Sequence, residues 1–172
     1  MPDDLFASSL SIFFSSMGFG ESKKLSFRTI QLNRSGQSYS LTGTTSTNTP
    51  QLSLTLPPSL LKEIISAIPL QDLSSLSLNL SIHIHTLIEC FGKFQHLGAI
   101  AFEGCVGGWT KTMHITDEMA ADEVAFPGLH TISVNGDILS EGIGFNFKDF
   151  ENWLRNRHNR NVRLRKLTFS DS

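Results

Sequence analysis

The nine residues Leu97-Gly98-Ala99-Ile100-Ala101-Phe102-Glu103-Gly104-Cys105 place apolar side chains at the first, fourth and sixth positions and a cysteine at the ninth. Such spacing predicts a short strand that buries alternate residues, preceded by a tight approach. The same pattern returns in Leu129-His130-Thr131-Ile132-Ser133-Val134-Asn135 and in Leu164-Arg165-Lys166-Leu167-Thr168-Phe169-Ser170. Upstream, Leu73-Ser74-Ser75-Leu76-Ser77-Leu78-Asn79-Leu80 fits well, while Gln51 to Leu56 and Phe27 to Leu32 are degenerate copies. With Ile30, Leu54, Leu76, Ile100, Ile132 and Leu167 taken as equivalent, the first three intervals fall within the roughly 20–29 residues of a leucine-rich repeat. The last two intervals are longer and imply extended helical arms.

Helical periodicity fills the intervals. Pro57-Pro58-Ser59 leads into Leu60, Leu61, Ile64, Ile65 and Ile68, one apolar face that Pro69 ends. Ile84 to Phe94 aligns Leu87, Ile88, Phe91 and Phe94, and Phe147, Phe150, Trp153 and Leu154 make an aromatic stripe. A brief helix is expected around Met119, Ala120 and Val124, before Phe126-Pro127 imposes an extended approach to the next strand. Leu5 to Met17 reads as a further helix, so residues 1–24 are expected to form a helical segment or cap and residues 25–172 the repeat array. Residues 34–50, rich in Ser, Thr, Gly and Asn, read as a loop or a poorly formed repeat. The expected fold class is α/β: a short, irregular leucine-rich-repeat-like solenoid with a concave parallel sheet and outer helices, stabilised by stacking of units too small to fold alone.

Composition sets the outer bounds. The chain has 172 residues, 40% of them hydrophobic and 17% charged, which is enough apolar material for one packed domain and too much for disorder. A formal net charge of -2 supplies no global attraction to nucleic acid or to anionic membrane. No apolar run reaches the length of a membrane helix, and the acidic start Pro2-Asp3-Asp4 is unlike a secretory signal. Cys90 and Cys105 lie in apolar segments and read as free buried thiols, so an intracellular setting, cytoplasmic or nuclear, is expected.

Phe126-Pro127-Gly128-Leu129 with Ile132 and Val134, then Phe150-Glu151-Asn152-Trp153-Leu154-Arg155-Asn156-Arg157, then Leu164 to Ser172, resemble the C-terminal repeat region of fungal F-box proteins with degenerate leucine-rich repeats. The resemblance covers about Leu73 to Ser172. It implies a substrate-receptor role in which repeats hold a client while an F-box domain joins a ubiquitin-ligase adaptor. The F-box itself, with its Leu-Pro-x-Glu-like opening and tandem helices, is not evident here.

Two surfaces are candidates for function. Strand alternation directs Gln31, Asn33, Ser77, Asn79, Glu103, Ser133, Asn135 and Thr168 away from the core, making a small, neutral, hydrogen-bonding stripe suited to a protein segment or merely solvated. Arg155, Arg157, Arg160, Arg163, Arg165 and Lys166 gather six of the 14 Lys and Arg residues near the C-terminus, with His158 among them. That cluster suits an acidic protein surface, less well a phosphate backbone, or else is a solvated face. Catalytic readings are poorer. His83-x-His85 lacks companion ligands, Asp117, Glu118, Asp122 and Glu123 alternate with alanine as on a solvated helix, and Phe102 to Trp109 contains glycines but lacks the order of a phosphate loop. The expectation is a non-enzymatic, cofactor-free recognition or scaffold module for another protein. Its alternatives are a vestigial structural protein and a weak nucleic-acid binder, and self-association is open because Leu167 and Phe169 sit on the last strand.

Overall fold

The computed structural model describes residues 26–45, 50–79, 84–103, 124–135 and 147–170. Among the described residues seven strands form one sheet: β1 (Thr29–Ser35), β2 (Ser38–Thr44), β3 (Pro50–Leu56), β4 (Ser75–Asn79), β5 (Ala99–Glu103), β6 (Thr131–Asn135) and β7 (Lys166–Ser170). Their spatial order is β3-β2-β1-β4-β5-β6-β7. The helices of the described residues are α1 (Leu61–Ala67), entered through a 3-10 turn at Pro58–Leu60, α2 (Ile84–Phe91) and α3 (Phe147–Asn159).

The sheet is mixed, which corrects the expected parallel solenoid and, with it, the leucine-rich-repeat description. β1, β4, β5, β6 and β7 run parallel, whereas β2 pairs antiparallel with both β1 and β3. Residues 34–50 are therefore not a loop throughout. They hold β2, which a two-residue turn joins to β1: Ser35 pairs with Ser38, and Gly36 takes a φ of 62° between them. A positive φ at the first central position suits a hairpin because its twist matches that of the strands, and glycine adopts it without a Cβ clash.

The register explains why much of the pattern was readable. Ile30, Leu76, Ile100, Ile132 and Leu167 stand side by side, as their spacing predicts. Leu54 does not join them: it pairs with Leu41, which pairs with Leu32, one row further along. The Ile30 row continues into β2 at Gly43, where no side chain fills the space. Phe27 occupies it instead, so close that a Cβ on Gly43 would lie 2.8 Å from the ring.

The two apolar rows and the helices form one core. Leu61, Ile64 and Ile65 of α1, Leu87 and Phe91 of α2, and Trp153 of α3 join Ile30, Leu32, Leu76, Leu78, Ile132 and Val134 in it. Each fully buried aliphatic side chain contributes roughly 1.5–3 kcal/mol. The order of the sheet makes β3-α1-β4 a crossover that passes over β2 and β1, whereas β4-α2-β5 and β6-α3-β7 join adjacent parallel strands. Parallel neighbours require such connections.

α3 ends in a left-handed cap. Asn161 has a φ of 60°, its N–H donates to His158 O at 3.0 Å, and the Val162 N–H donates to Arg157 O at 3.0 Å. That pair of bonds satisfies the last carbonyls of the helix and turns the chain toward β7. Phe126 is also left-handed, with a φ of 56°, so the expected extended approach at Phe126-Pro127 is not adopted. The expected Leu5–Met17 helix, the 1–24 cap and most of the Thr116–Ala125 segment lie outside the described residues.

Candidate functional site

The polar row predicted from strand alternation is assembled as a surface. Gln31 is beside Ser77, Ser77 beside Ala101, Ala101 beside Ser133, and Ser133 beside Thr168; β2 and β3 extend the row through Thr42 and Ser53. A second row brings Asn33 to Asn79 and, further along, Glu103 to Asn135 and Asn135 to Ser170. The Ser77 hydroxyl donates to Glu103 Oε1 at 3.0 Å, the Ser170 hydroxyl donates to Asn135 Oδ1 at 2.6 Å, and Gln31 Nε2 donates to Asn33 Oδ1 at 3.4 Å. Several of the groups that would greet a partner are thus already engaged with each other, and Glu103 supplies the face's only carboxylate among the described residues. Such a surface offers distributed hydrogen bonds without an aromatic anchor.

The basic cluster separates into two kinds of residue. Arg157 is 3% exposed and belongs to the interior, a correction to its placement in a surface patch. Its Nη1 donates to Ala125 O at 2.9 Å, and its Nη2 donates to Phe126 O at 3.1 Å and Leu129 O at 2.8 Å. The guanidinium also lies 5.0 Å from the Trp153 ring centroid, one helical turn away. Burial lowers its pKa to about 10, which leaves it cationic at neutral pH. It therefore clamps the turn from Ala125 to Leu129, including the left-handed Phe126, against α3. A backbone held in that region by a bulky residue persists only where its surroundings over-determine it.

The remaining cations are exposed. Arg155 is held by Glu151 one turn earlier at 2.7 Å. Arg160 lies beyond the end of α3, and Arg163, Arg165 and Lys166 line a groove of about 490 Å³ between α3 and β7 together with His158. Leu154, Leu164 and Leu167 make its apolar part. Among the described residues, no carboxylate ion-pairs with Arg163, Arg165 or Lys166. Periodicity in the sequence assigns these leucines to the core, and they pack against its margin. Their alternation with cations in Arg163-Leu164-Arg165-Lys166-Leu167 was the available signal for a groove with an apolar floor and a charged rim.

Burial stops at the same place. Along one row Ile30, Leu76, Ile100 and Ile132 are 0–3% exposed and Leu167 is only half-buried; along the next, Val134 is 0% exposed and Phe169 is 44% exposed. The apolar rows are therefore more exposed on β7 than on β6, and Leu154, Leu164 and Leu167 pack against the core as its partly buried margin.

Other candidates fare differently. Cys90 is buried, and burial foremost, with Glu89 adding, pushes its thiol up to about 11, so it is protonated at neutral pH. His83, Cys105, Gly104 to Trp109 and Asp117 to Glu123 lie outside the described residues. Among the described residues no cluster of three His, Cys, Asp or Glu side chains could hold a metal ion. None of the described helices is long and apolar enough to cross a membrane. No family model matches the chain, and neither the curated proteins nor the solved structures contain a match to it.

Proposed function

We propose that the protein is a non-catalytic recognition module that holds an acidic segment of another protein in the groove between α3 and β7. The observation that carries this reading is the coincidence, in one groove, of the partly buried Leu154, Leu164 and Leu167 with Arg163, Arg165 and Lys166, which among the described residues have no carboxylate partner. A partner bearing both carboxylates and apolar side chains gains from both features: apolar burial contributes about 25 cal/mol per Å², and the charges select the partner and speed its approach.

A phosphate backbone fits less well. With Arg157 buried and Arg155 paired to Glu151, the cluster retains fewer cations for phosphate than its sequence suggests, and the leucine floor has no role on a nucleic-acid strand. The polar sheet face is a weaker anchor because its groups bond to one another. The narrower form of the reading, a substrate-receptor fragment of a ubiquitin ligase, is supported by the resemblance of the Leu73 to Ser172 region alone. Recovery of a ligase adaptor with the chain from cells would support it.

The test is the double charge reversal of Arg163→Glu with Arg165→Glu, measured by binding of a fluorescent glutamate-rich peptide to the full chain. Reversal should weaken binding by roughly tenfold or more, about 1.4 kcal/mol. Binding that is unchanged by the reversal, or insensitive to added salt, contradicts the proposal.

A further inference from the structure

We infer that the acidic segment binds in extended form, as an eighth strand added along the outer edge of β7. The inference rests on the groove reading and specifies the partner's conformation. Among the described residues β7 is the last strand in the sheet order, and it pairs with β6 on one side. The Lys166 N–H donates to His130 O at 3.0 Å, toward β6. In a strand the N–H and C=O of one residue point to the same side and those of the next residue to the other. The main-chain groups of Leu167 therefore point away from β6, toward the position an added strand would take.

Side-chain alternation defines what such a strand carries. Leu167 faces the helix side, in the row of Ile132, and Leu154 lies across the groove from it; Lys166 and Thr168 face the polar side. An added strand would place apolar residues over the leucines at every second position and carboxylates within reach of Lys166, Arg163 and Arg165. Charged residues at an exposed edge normally deter indiscriminate strand pairing. Here the same cations turn the deterrent into a choice, since only an acidic strand relieves them.

Charge also decides against the same groove of a second copy as the occupant. An identical groove offers Glu151 as its only carboxylate, and Glu151 is already bonded to Arg155. The unpaired cations of one copy would therefore meet no complement in the groove of the other.

The experiment uses the full chain and three short peptides: one alternating glutamate and valine, and two versions of it N-methylated either on the valines only or on the glutamates only. All three keep the same charge. A strand bonded along one edge loses its bonds when one set of amides is blocked and keeps them when the other is. The account expects one methylated peptide to bind like the parent and the other roughly tenfold or more weaker, the ratio that a net hydrogen bond of about 1.4 kcal/mol gives. Equal affinities for both methylated peptides overturn strand addition while leaving the acidic groove intact. Failure of the parent peptide to bind at low salt, or equal binding of its glutamine counterpart, overturns both.

Discussion

Replacing Arg157 by methionine keeps most of the side chain's volume and removes its donors, so it isolates the clamp from the packing. Three hydrogen bonds of 2.8–3.1 Å from a charged donor disappear, and the carbonyls of Ala125, Phe126 and Leu129 lose that partner. Bonds to charged groups contribute about 1.5–3 kcal/mol each, but these three share one guanidinium and are not additive. Removal of the buried charge also returns part of the desolvation cost that lowers its pKa to about 10. We therefore expect a net loss of about 3 kcal/mol, a large share of the 5–15 kcal/mol typical of a domain. For a chain of this size that is roughly 6–12 °C in Tm. Urea denaturation followed by far-UV circular dichroism measures it. Hydrogen exchange should show where the loss begins: the Phe126 N–H, which donates to Gly92 O at 2.7 Å, should lose protection before the amides of β1. Arg157→Lys, whose ammonium cannot span three carbonyls, should recover less than half of the loss. A methionine variant within about 1 kcal/mol of the parent would refute the clamp, because it would mean that the turn holds its strained Phe126 unaided.

Gly128→Ala should cost about 3 kcal/mol or more by the same denaturation assay, because the added Cβ would lie 2.0 Å from Gln95 O, a backbone atom with no room to yield. Cys90 should resist iodoacetamide in the folded chain at pH 8 and react once urea unfolds it, with Cys105→Ser as background, since burial holds its pKa near 11. The sign of the linked stability follows. Above pH 9 the unfolded chain ionises this thiol and the folded chain does not, so the folded state should lose stability as pH rises from about 9 through 11. A thiol that reacts equally fast with and without urea would contradict its burial.

The parallel strands were legible because each repeats one physical demand: two apolar residues two apart, buried on one face, as in Ile100 and Phe102 or Ile132 and Val134. The helices were legible for the same reason at a different period, and α1 starts and stops close to where Pro58 and Pro69 place its ends. β2 was not. Its burial against the core relies on Leu41 and on Gly43, and a glycine carries no hydrophobic signal; the bulk at that place comes from Phe27, outside the strand. The hairpin was nevertheless written in the sequence, since Gly36-Gln37 separates two stretches with alternating polarity by the two residues that a tight turn needs. Treating all strands as copies of one unit concealed it and displaced Leu54 by one row.

The candidate surfaces show a similar division. Alternation placed Ser77, Glu103, Ser133, Asn135 and Thr168 on a common face, because a strand leaves no other choice. It could not show that Ser77 bonds to Glu103 or Ser170 to Asn135, which depends on neighbours distant in sequence. Charge counting found the basic cluster but could not tell a solvent-facing arginine from one turned inward. Arg157 stands four residues after Trp153, on the buried side of α3, while Arg155 lies on its exposed side. Helical phase was the clue, and it conflicts with the general preference of arginine for the surface.

Amide NMR of the full chain, titrated at low salt with the alternating glutamate and valine peptide, tests the groove most directly. The account predicts saturable shifts at Leu154, Arg155 and His158 on α3 and from Arg163 to Leu167, weakening as salt is added. Shifts centred instead on Gln31, Asn33, Ser77 and Asn79, or no shifts at any residue, would contradict it.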